Sequence, residues 1–275
     1  MSEKGLVFGK GFLGKRIAEE LGYELSDFRI LDKESLENYL KEKNPTVVIN
    51  AIGKTGRPNV DWCESHKEET IFSNILVPSI LASSCFNQNI YFVHIGSGCI
   101  YSGDNNGEGF NEIDNPNFEG SLYSRTKILS EKILSEYPCL QLRIRMPLDD
   151  RSSSRNFIDK IKLYKKLIET QNSMTTIPHF LEGLQKLISK KATGIYNFVN
   201  PKTISAVEVM NLYKEIIDPT HQFESFSLDD LDKVIVAKRS NCHLNTDKLK
   251  SEGVILPEIN EAIKECLENY KERLK

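Results

Sequence analysis

The stretch Leu6-Val7-Phe8-Gly9-Lys10-Gly11-Phe12-Leu13-Gly14, near the N-terminus, decides the predicted fold of this chain. Its first three residues predict a short buried strand, and the apolar spacing of Ile17, Ala18 and Leu21 predicts a helix directly after the last glycine. A Gly-x-Gly-x-x-Gly turn in this setting lets a pyrophosphate approach the backbone at the helix N-terminus. We therefore predict a dinucleotide-binding domain, although a glycine turn that only packs the helix on the strand would give the same pattern.

The segment after the second predicted strand is expected to bind the ribose of the cofactor. Asp32 lies about where such a fold places the acidic residue that contacts the adenosine ribose. Arg29 would pair with a 2′-phosphate and favour NADPH over NADH, but a solvated surface arginine explains it nearly as well. The predicted cofactor-binding residues are Gly9, Gly11, Phe12, Leu13, Gly14, Arg29, Asp32, Ala51 and Gly53, together with Tyr123 and Lys127.

A second pattern combines Tyr123 and Lys127, four residues apart on a predicted helix, with Ser97 at the end of a predicted strand. A free tyrosine titrates near ~10, so it is a useful acid at neutral pH only where a positive charge lowers its pKa. Lys127 would supply that charge, Tyr123 would protonate a carbonyl oxygen, and Ser97 would hydrogen-bond it. Tyr39 and Lys43 have the same spacing without a strand-end serine, and most such matches are surface decoration. The company of Ser97 and the glycine turn therefore predicts a carbonyl-reduction site.

The composition of the 275 residues is that of an ordinary globular protein, with 39% hydrophobic and 27% charged residues. A net charge of -3 provides no broad basic field, so nucleic acid is not an expected partner. The N-terminus lacks the apolar region of a signal peptide and no apolar run suggests a membrane span, so we expect a cytoplasmic protein. The six cysteines show no close pairing and the five histidines are scattered, which predicts reduced thiols and no metal site.

The order of predicted strands and helices indicates an α/β fold, a Rossmann-type doubly wound parallel sheet with a smaller C-terminal substrate-binding lobe. We assign residues 1–147, completed by about 177–200, to the dinucleotide-binding domain, and residues 148–176 and 201–275 to the lobe. Within the lobe, residues 156–168 predict a helix. The pairs Ser65/Glu68 and Ser205/Glu208 have the spacing of capping boxes, so each predicts a helix N-terminus.

The glycine turn, Ser97, Tyr123 and Lys127 together resemble the extended short-chain dehydrogenase/reductases. Further stretches narrow this resemblance to the plant-type UDP-4-keto-6-deoxyglucose 3,5-epimerase/4-reductases of UDP-rhamnose synthesis, along nearly the whole chain. These stretches are residues 56–67, 98–100, 143–147, 155–157, 172–175 and 239–241. More distantly, the chain is similar to dTDP-4-dehydrorhamnose reductases and to GDP-fucose synthases, which also place a cysteine two residues after the catalytic serine, as Ser97 and Cys99 are placed here.

The resemblance implies that NADPH is the cofactor and that Cys99 and Lys160 act as acid and base in epimerisation. It implies a UDP-4-keto-6-deoxy sugar as substrate, supplied by a separate 4,6-dehydratase, and it allows a homodimer. The substrate-binding residues that it implies are Arg57, Asn59, Asn156, Asn172, Met174, Arg239 and Asn241.

Several alternatives stay open at this point. From the residues alone, Cys99 is better explained as a small buried hydrophobe and Lys160 as a solvated helix lysine. A pure 4-reductase that acts on an already epimerised sugar would need neither. A non-catalytic NADPH-binding regulatory subunit would use the fold alone, but the intact Ser97, Tyr123 and Lys127 argue against it. Composition does not distinguish a UDP sugar from a dTDP sugar.

Overall fold

The computed structural model describes residues 3–227 and 235–274, which divide into two compact units. Unit 1 contains the residues up to Ile100, Phe118–Arg143 and Leu187–Tyr196, and unit 2 contains Tyr101–Asn117, Ile144–Lys186 and the residues from Asn197 onward. This division differs from the expected boundaries, because residues 101–117, 144–147, 177–186 and 197–200 lie in unit 2. The first difference has a plain cause, since the Gly103 N–H donates to the Asn241 carbonyl and the Phe110 N–H to the His243 carbonyl.

A six-stranded sheet contains the strand that leads into the glycine turn. Its strands are β1 (Gly5–Phe8), β2 (Glu24–Ser26), β3 (Val47–Asn50), β4 (Tyr91–Ser97), β5 (Leu140–Ile144) and β7 (Gly194–Asn197), in the order β2-β1-β3-β4-β5-β7. β1 pairs in parallel with β2 and with β3, and β3 pairs in parallel with β4. From β1 the strand order runs to β2 on one side and to β3 on the other, so the order reverses between β1 and β3. Open α/β sheets bind ligands at such a point, beyond the carboxyl ends of the strands. The predicted Rossmann-type sheet is therefore confirmed.

The helices of unit 1 follow its strands along the chain. They are α1 (Phe12–Leu21), α2 (Lys33–Lys43), α3 (Asp61–Ser65), α4 (Lys67–Ile71), a π-helical turn (Phe72–Leu76), α5 (Val77–Asn87) and α6 (Leu122–Leu134). Phe8, Leu40 and Leu81 belong to one buried apolar cluster, which packs β1, α2 and α5 together. The capping box predicted at Ser65 and Glu68 is wrong, because Ser65 is the last residue of α3 and its hydroxyl donates to the Trp62 carbonyl at 3.1 Å.

Among the described residues, one continuous helical stretch, Lys67–Asn87, is apolar and long enough to cross a membrane. This differs from the expectation that no apolar run suggests a membrane span. Half of its apolar window is buried in the fold, where Val77, Leu81 and Ala82 join the core cluster of unit 1. Core helices meet the same criterion, so the stretch is weak evidence for a membrane span.

Unit 2 is built around a second apolar core. Its elements are α7 (Phe157–Ile161), β6 (Lys166–Ile168), α8 (Ile177–Ser189, whose last turn lies in unit 1), α9 (Ala206–Ile216), β8 (Glu224–Phe226), α10 (Asp247–Ser251) and α11 (Ile259–Leu274). The helix predicted over residues 156–168 is wrong in its second half, because the chain leaves the helix after Ile161 and β6 pairs in parallel with β8. The capping box at Ser205 and Glu208 is confirmed, with both reciprocal hydrogen bonds present.

Candidate active site

The glycine turn lies between β1 and α1, as predicted. Gly9 has φ +107°, and a Cβ built on it would lie 2.7 Å from the Ala51 backbone. A Cβ on Gly14 would lie 1.8 Å from the Gly9 carbonyl oxygen, so neither position accepts a side chain. A Cβ on Gly11 would meet nothing within 4 Å, and Gly11 is the N-cap residue of α1. The turn therefore packs tightly against β3 and leaves open space at the helix N-terminus, which is where a pyrophosphate binds in such folds.

Asp32, the predicted ribose-binding residue, lies beyond the end of β2 and begins the next helix. Asp32 is exposed and is the N-cap of α2, where its carboxylate accepts the Ser35 N–H at 2.8 Å. That backbone hydrogen bond lowers the pKa of Asp32. Asp27 directly follows β2 and forms an ion pair with Lys10 of the glycine turn. Sequence reasoning missed Asp27, although an acidic residue immediately after the strand was the available signal. Arg29 is exposed two residues further on.

Ser97 ends β4 and is held in place by its own backbone. Its side chain is buried, and its Oγ accepts the Cys99 N–H at 3.1 Å. Gly96 permits close packing on β5, since a Cβ there would lie 3.2 Å from the Leu142 carbonyl oxygen. Cys99 itself is half-buried, whereas the other five cysteines are buried. This exposure distinguishes Cys99 from a packing residue of the core.

Helix α6 carries Tyr123 and Lys127 on one face, one turn apart. Ser121 is its N-cap and accepts the Ser124 N–H at 3.1 Å, while a Glu64 carboxylate oxygen accepts the Leu122 N–H at 2.5 Å. The first turn of the helix is thus tied at both its own cap and α3. Tyr123 is half-buried on this fixed turn.

Lys127 is buried and reaches strand β4, where its Nζ donates to the Ile95 carbonyl at 3.3 Å. Burial lowers the pKa of Lys127 to about 8, against the opposing effects of Glu131 and Cys99. The Lys127 ammonium thus binds the strand that ends at Ser97, and it lies close enough to Cys99 for their charges to interact. The structure therefore brings Ser97, Cys99 and Lys127 together at the end of β4.

Three buried polar side chains, Asn50, His94 and Asn74, are outside the set of predicted site residues, although Asn74 was a possible support of the active site by sequence. The Asn50 amide of β3 donates to His94 Nδ1 at 3.0 Å, and the pKa of His94 is well below its usual value because of burial first and Lys127 second. His94 is therefore neutral. Asn74 in the π-helical turn donates to Thr126 Oγ1 at 3.1 Å and accepts the Lys54 N–H at 2.7 Å. Asn74 thus joins the segment after β3 to the residue before Lys127.

In unit 2, Lys160 lies on α7 and is half-buried. Burial lowers its pKa, and the positive charges of Arg155 and Arg239 lower it further. These arginines must therefore lie close enough to Lys160 for their charges to act on it. A lowered pKa favours the uncharged amine, which is the form of a lysine that accepts a proton.

Four of the remaining predicted substrate residues of unit 2, Asn156, Asn172, Met174 and Asn241, are buried. Asn172 is buried, accepts Arg145 Nη2 at 2.6 Å and donates to Asn241 Oδ1 at 2.9 Å, so a buried arginine that the sequence analysis did not select organises this pair. Met174 is fully buried in the apolar core of unit 2. Asn156 is also fully buried, and its amide accepts the Asp149 N–H and donates to backbone carbonyls of its own loop. Substrate contacts by Asn172, Met174, Asn156 and Asn241 stay predictions, and all four side chains are buried.

The other predicted substrate residues, Arg57 and Asn59, lie in the loop of unit 1 between β3 and α3. Arg57 is exposed, and Asn59 is half-buried with its Oδ1 accepting the Asp61 N–H at 2.9 Å. In the same segment, Ala51 donates its N–H to the Phe8 carbonyl at 2.8 Å and Gly53 is exposed. Within residues 3–227 and 235–274, no group of three or more histidine, cysteine or acidic side chains could hold a metal ion.

The sheet, the glycine turn and the residues around β4 and α6 define a dinucleotide-binding α/β enzyme fold. The chain belongs to the RmlD substrate binding domain family, which matches residues 10–272. It is 40% identical over 271 residues to the bifunctional dTDP-4-dehydrorhamnose 3,5-epimerase/dTDP-4-dehydrorhamnose reductase of Arabidopsis thaliana, covering 94% of this chain and 90% of that protein.

Two further comparisons extend this similarity. The chain is 40% identical to a trifunctional UDP-glucose 4,6-dehydratase/UDP-4-keto-6-deoxy-D-glucose 3,5-epimerase/UDP-4-keto-L-rhamnose-reductase of the same plant, with 98% of this chain covered, but it spans only 42% of that protein. The crystal structure of the UDP-rhamnose synthase from Acanthamoeba polyphaga mimivirus matches with a TM-score of 0.93 and 33% identity, covering 98% of this chain and all of the other.

Proposed function

We propose that this chain is a bifunctional 3,5-epimerase/4-reductase that converts UDP-4-keto-6-deoxy-D-glucose to UDP-L-rhamnose with NADPH. The observation that carries the proposal is the grouping of Ser97, Cys99 and Lys127 at the end of β4, with Tyr123 one turn before Lys127. The similarity over nearly the whole chain to a plant epimerase/reductase and to a viral UDP-rhamnose synthase supports it.

The glycine turn fits the cofactor. Gly9 and Gly14 are required by close packing, whereas the open side of Gly11 leaves room for a pyrophosphate at the N-terminus of α1. Lys10 and Arg29 are the basic side chains near the end of β2 that would hold a 2′-phosphate. When bound, NADPH supplies the hydride for carbon C4 of the sugar.

In the reduction, Tyr123 donates a proton to the C4 oxygen while Ser97 hydrogen-bonds the same oxygen. The Lys127 ammonium favours the phenolate that remains on Tyr123, because an opposite charge nearby stabilises the ionised form. Burial places the pKa of Lys127 at about 8, so this cation is present at neutral pH and is lost in mildly alkaline solution.

In the epimerisation, carbons C3 and C5 both adjoin the C4 ketone, so a proton can leave either carbon as the ketone becomes an enolate. Inversion removes a proton from one face and returns one to the other. We assign removal to the Lys160 amine, whose pKa is lowered by burial and by the charges of Arg155 and Arg239, and return to the Cys99 thiol. Ser97 and Tyr123 stabilise the enolate oxygen during the exchange.

The test supplies UDP-4-keto-6-deoxy-D-glucose and NADPH to the purified protein in deuterium oxide. The wild type should oxidise NADPH and place deuterium at C3 and C5. Cys99→Ala and Lys160→Ala should stop the incorporation but still reduce already epimerised UDP-4-keto-L-rhamnose. Lys165→Ala removes an exposed lysine from the same segment and should match the wild type. Wild-type incorporation by both site variants would contradict the assignment.

A dTDP-linked sugar is the second candidate substrate, because the plant bifunctional relative is named for dTDP sugars. Initial rates with matched UDP and dTDP substrates would decide between the nucleotides. Reduction of only the epimerised sugar would favour a pure 4-reductase. Binding of NADPH without turnover of either sugar would favour a regulatory subunit. In every enzymatic case, a 4,6-dehydratase reaction must supply the keto sugar, and a cytoplasmic location is part of the proposal.

We further propose that the chain forms a homodimer through a patch on unit 1. The stretch Lys67–Asn87 and helix α6 pack against each other, and both carry exposed apolar side chains. The patch consists of Ile71, Phe72, Leu76, Leu129 and Ile133, each 36 to 51% exposed. Groups of exposed apolar side chains on adjacent helices are typical of interaction surfaces. Leu129→Glu should convert a dimer to a monomer in analytical ultracentrifugation, and a wild-type monomer at all concentrations would refute the proposal.

A further inference from the structure

Helix α7, which carries Lys160, is too short to be stable by itself. It contains five residues, and isolated helices much longer than this are marginal in water. The position of Lys160 must therefore be set by the contacts of α7 with the rest of unit 2. Asp159, the neighbour of Lys160 and the sole acidic residue of α7, is buried with 7% exposure.

The carboxylate of Asp159 joins α7 to neighbouring segments of unit 2 by hydrogen bonds and an ion pair. Its Oδ1 accepts the Tyr270 hydroxyl of α11 at 2.6 Å and lies 2.5 Å from Lys162 Nζ, and its Oδ2 accepts the Ser153 N–H at 2.9 Å. Burial alone would raise the pKa of Asp159, but the bonds from Lys162, Tyr270 and Ser153 outweigh it and lower the pKa. Asp159 is therefore an anion with partners on three sides.

The anchor on the other side is a long helix in the core of unit 2. α11 has 16 residues, and Tyr270 is 1% exposed within the apolar cluster. One turn later, Arg273 donates to Asp150 Oδ2 at 3.0 and 3.1 Å, which ties the same helix to the loop before α7. The two links join α11 to both ends of the segment that presents Lys160.

The hydrogen bond from Tyr270 to Asp159 also affects the charge around Lys160. Burial, Arg155 and Arg239 are the causes that lower the pKa of Lys160. Asp159 is adjacent in sequence, but its carboxylate is engaged by Tyr270 and by Lys162. A carboxylate free to turn towards Lys160 would favour the ammonium form, which cannot accept a proton. The bond from Tyr270 therefore serves both the position of the amine and its protonation state.

We propose that Tyr270 and Asp159 are positioning residues for epimerisation, acting through α7 on the amine of Lys160. The inference rests on the proposed role of Lys160 as the base. Its consequence is selective: loosening this link should slow proton exchange at C3 and C5 and leave the hydride step on an already epimerised sugar unchanged.

The test compares Tyr270→Phe and Asp159→Asn with Lys160→Ala and with a matched control, Tyr213→Phe. Tyr213 belongs to the same core cluster on α9 and lies close enough to Asp159 and Lys162 for their charges to interact. No hydrogen bond in the described part of the chain joins Tyr213 to α7, so this control isolates the hydrogen bond of Tyr270. The measurements are the initial rate of deuterium incorporation at C3 and C5 over a range of substrate concentrations, and NADPH oxidation with UDP-4-keto-L-rhamnose. The second measurement also reports whether each variant is folded.

Tyr270→Phe should lower kcat for exchange by about ten- to a hundredfold, because small misplacements of a reacting group have effects of that size. Its KM and its rate of reduction should stay within about twofold of the wild type, as should all parameters of Tyr213→Phe. Asp159→Asn should follow Tyr270→Phe, and if it does not fold, Tyr270→Phe decides alone.

Three results would overturn the inference while Lys160→Ala still abolishes exchange: wild-type exchange in Tyr270→Phe, an equal loss of exchange and reduction, or a change in KM alone. If Lys160→Ala itself exchanges at the wild-type rate, the proposed function of Lys160 fails instead, so the two failures are distinguishable.

Discussion

Replacing Lys127 with methionine should make the protein more stable and less active. Lys127 is buried, and burial lowers its pKa from an ordinary 10.5 to about 8. The folded protein therefore bears a free-energy cost for keeping the ammonium charged in its interior. The stabilisation arises because methionine has a similar length and carries no charge to desolvate. Turnover should fall by about 10²- to 10⁴-fold, since the cation that supports Tyr123 as the acid is lost.

The size of the stability change follows from the two pKa values. At about 1.4 kcal/mol per pKa unit, the difference between 10.5 and about 8 is equivalent to about 3 kcal/mol of cost for burying the cation. Methionine also loses the 3.3 Å hydrogen bond to the Ile95 carbonyl, which offsets about 1 kcal/mol. The net gain in the free energy of unfolding near neutral pH should be about 2 kcal/mol.

This gain should depend on pH in a defined direction. Below the folded-state pKa the lysine is protonated in both states, and the folded protein bears the full cost. As the pH rises from about 8 towards 10.5, the folded amine loses its proton before the unfolded one does, and the cost disappears. Wild-type stability should therefore rise over this window relative to Lys127→Met.

Urea unfolding followed by circular dichroism at about pH 7 and about pH 10 measures this difference. The variant should be the more stable protein at the lower pH and lose that advantage at the higher one, while other titrating groups affect both proteins equally. A stability difference that is the same at both pH values would refute the reasoning, as would a destabilised variant near neutrality.

Three further predictions concern the site. Tyr123→Phe should lower NADPH oxidation by about 10²-fold or more and leave NADPH affinity within a few-fold, and near-normal turnover would contradict the role of the phenol. Arg29→Ala should weaken NADPH binding roughly tenfold without affecting NADH, as measured by fluorescence titration, and equal losses would place Arg29 away from the phosphate. Asn74→Ala should lower the free energy of unfolding by about 2 kcal/mol, because the Lys54 backbone and the buried Thr126 hydroxyl each lose hydrogen bonds to the amide. An unchanged urea midpoint would show that water replaces the amide.

The local features of this chain were available from its sequence. The glycine turn, the strand before it and the helix after it are adjacent in the chain, and the steric demands on Gly9 and Gly14 leave few other structures. The capping box of Ser205 and Glu208 closes within four residues. Ser97 and the helix of Tyr123 likewise follow from strand and helix periodicity. Such interactions need no knowledge of distant segments, so a pattern of residues is enough to predict them.

The features that failed or were missed depend on partners far away in the chain. Residues 166–168 have a helix-like pattern, but they form a strand because residues 224–226 provide a parallel partner. The pKa of Lys127 follows from burial, and the fastening of Asp159 requires Tyr270, 111 residues away. Burial and long-range hydrogen bonds are properties of the folded chain, so the tertiary structure alone determines where these charges lie and what they can do.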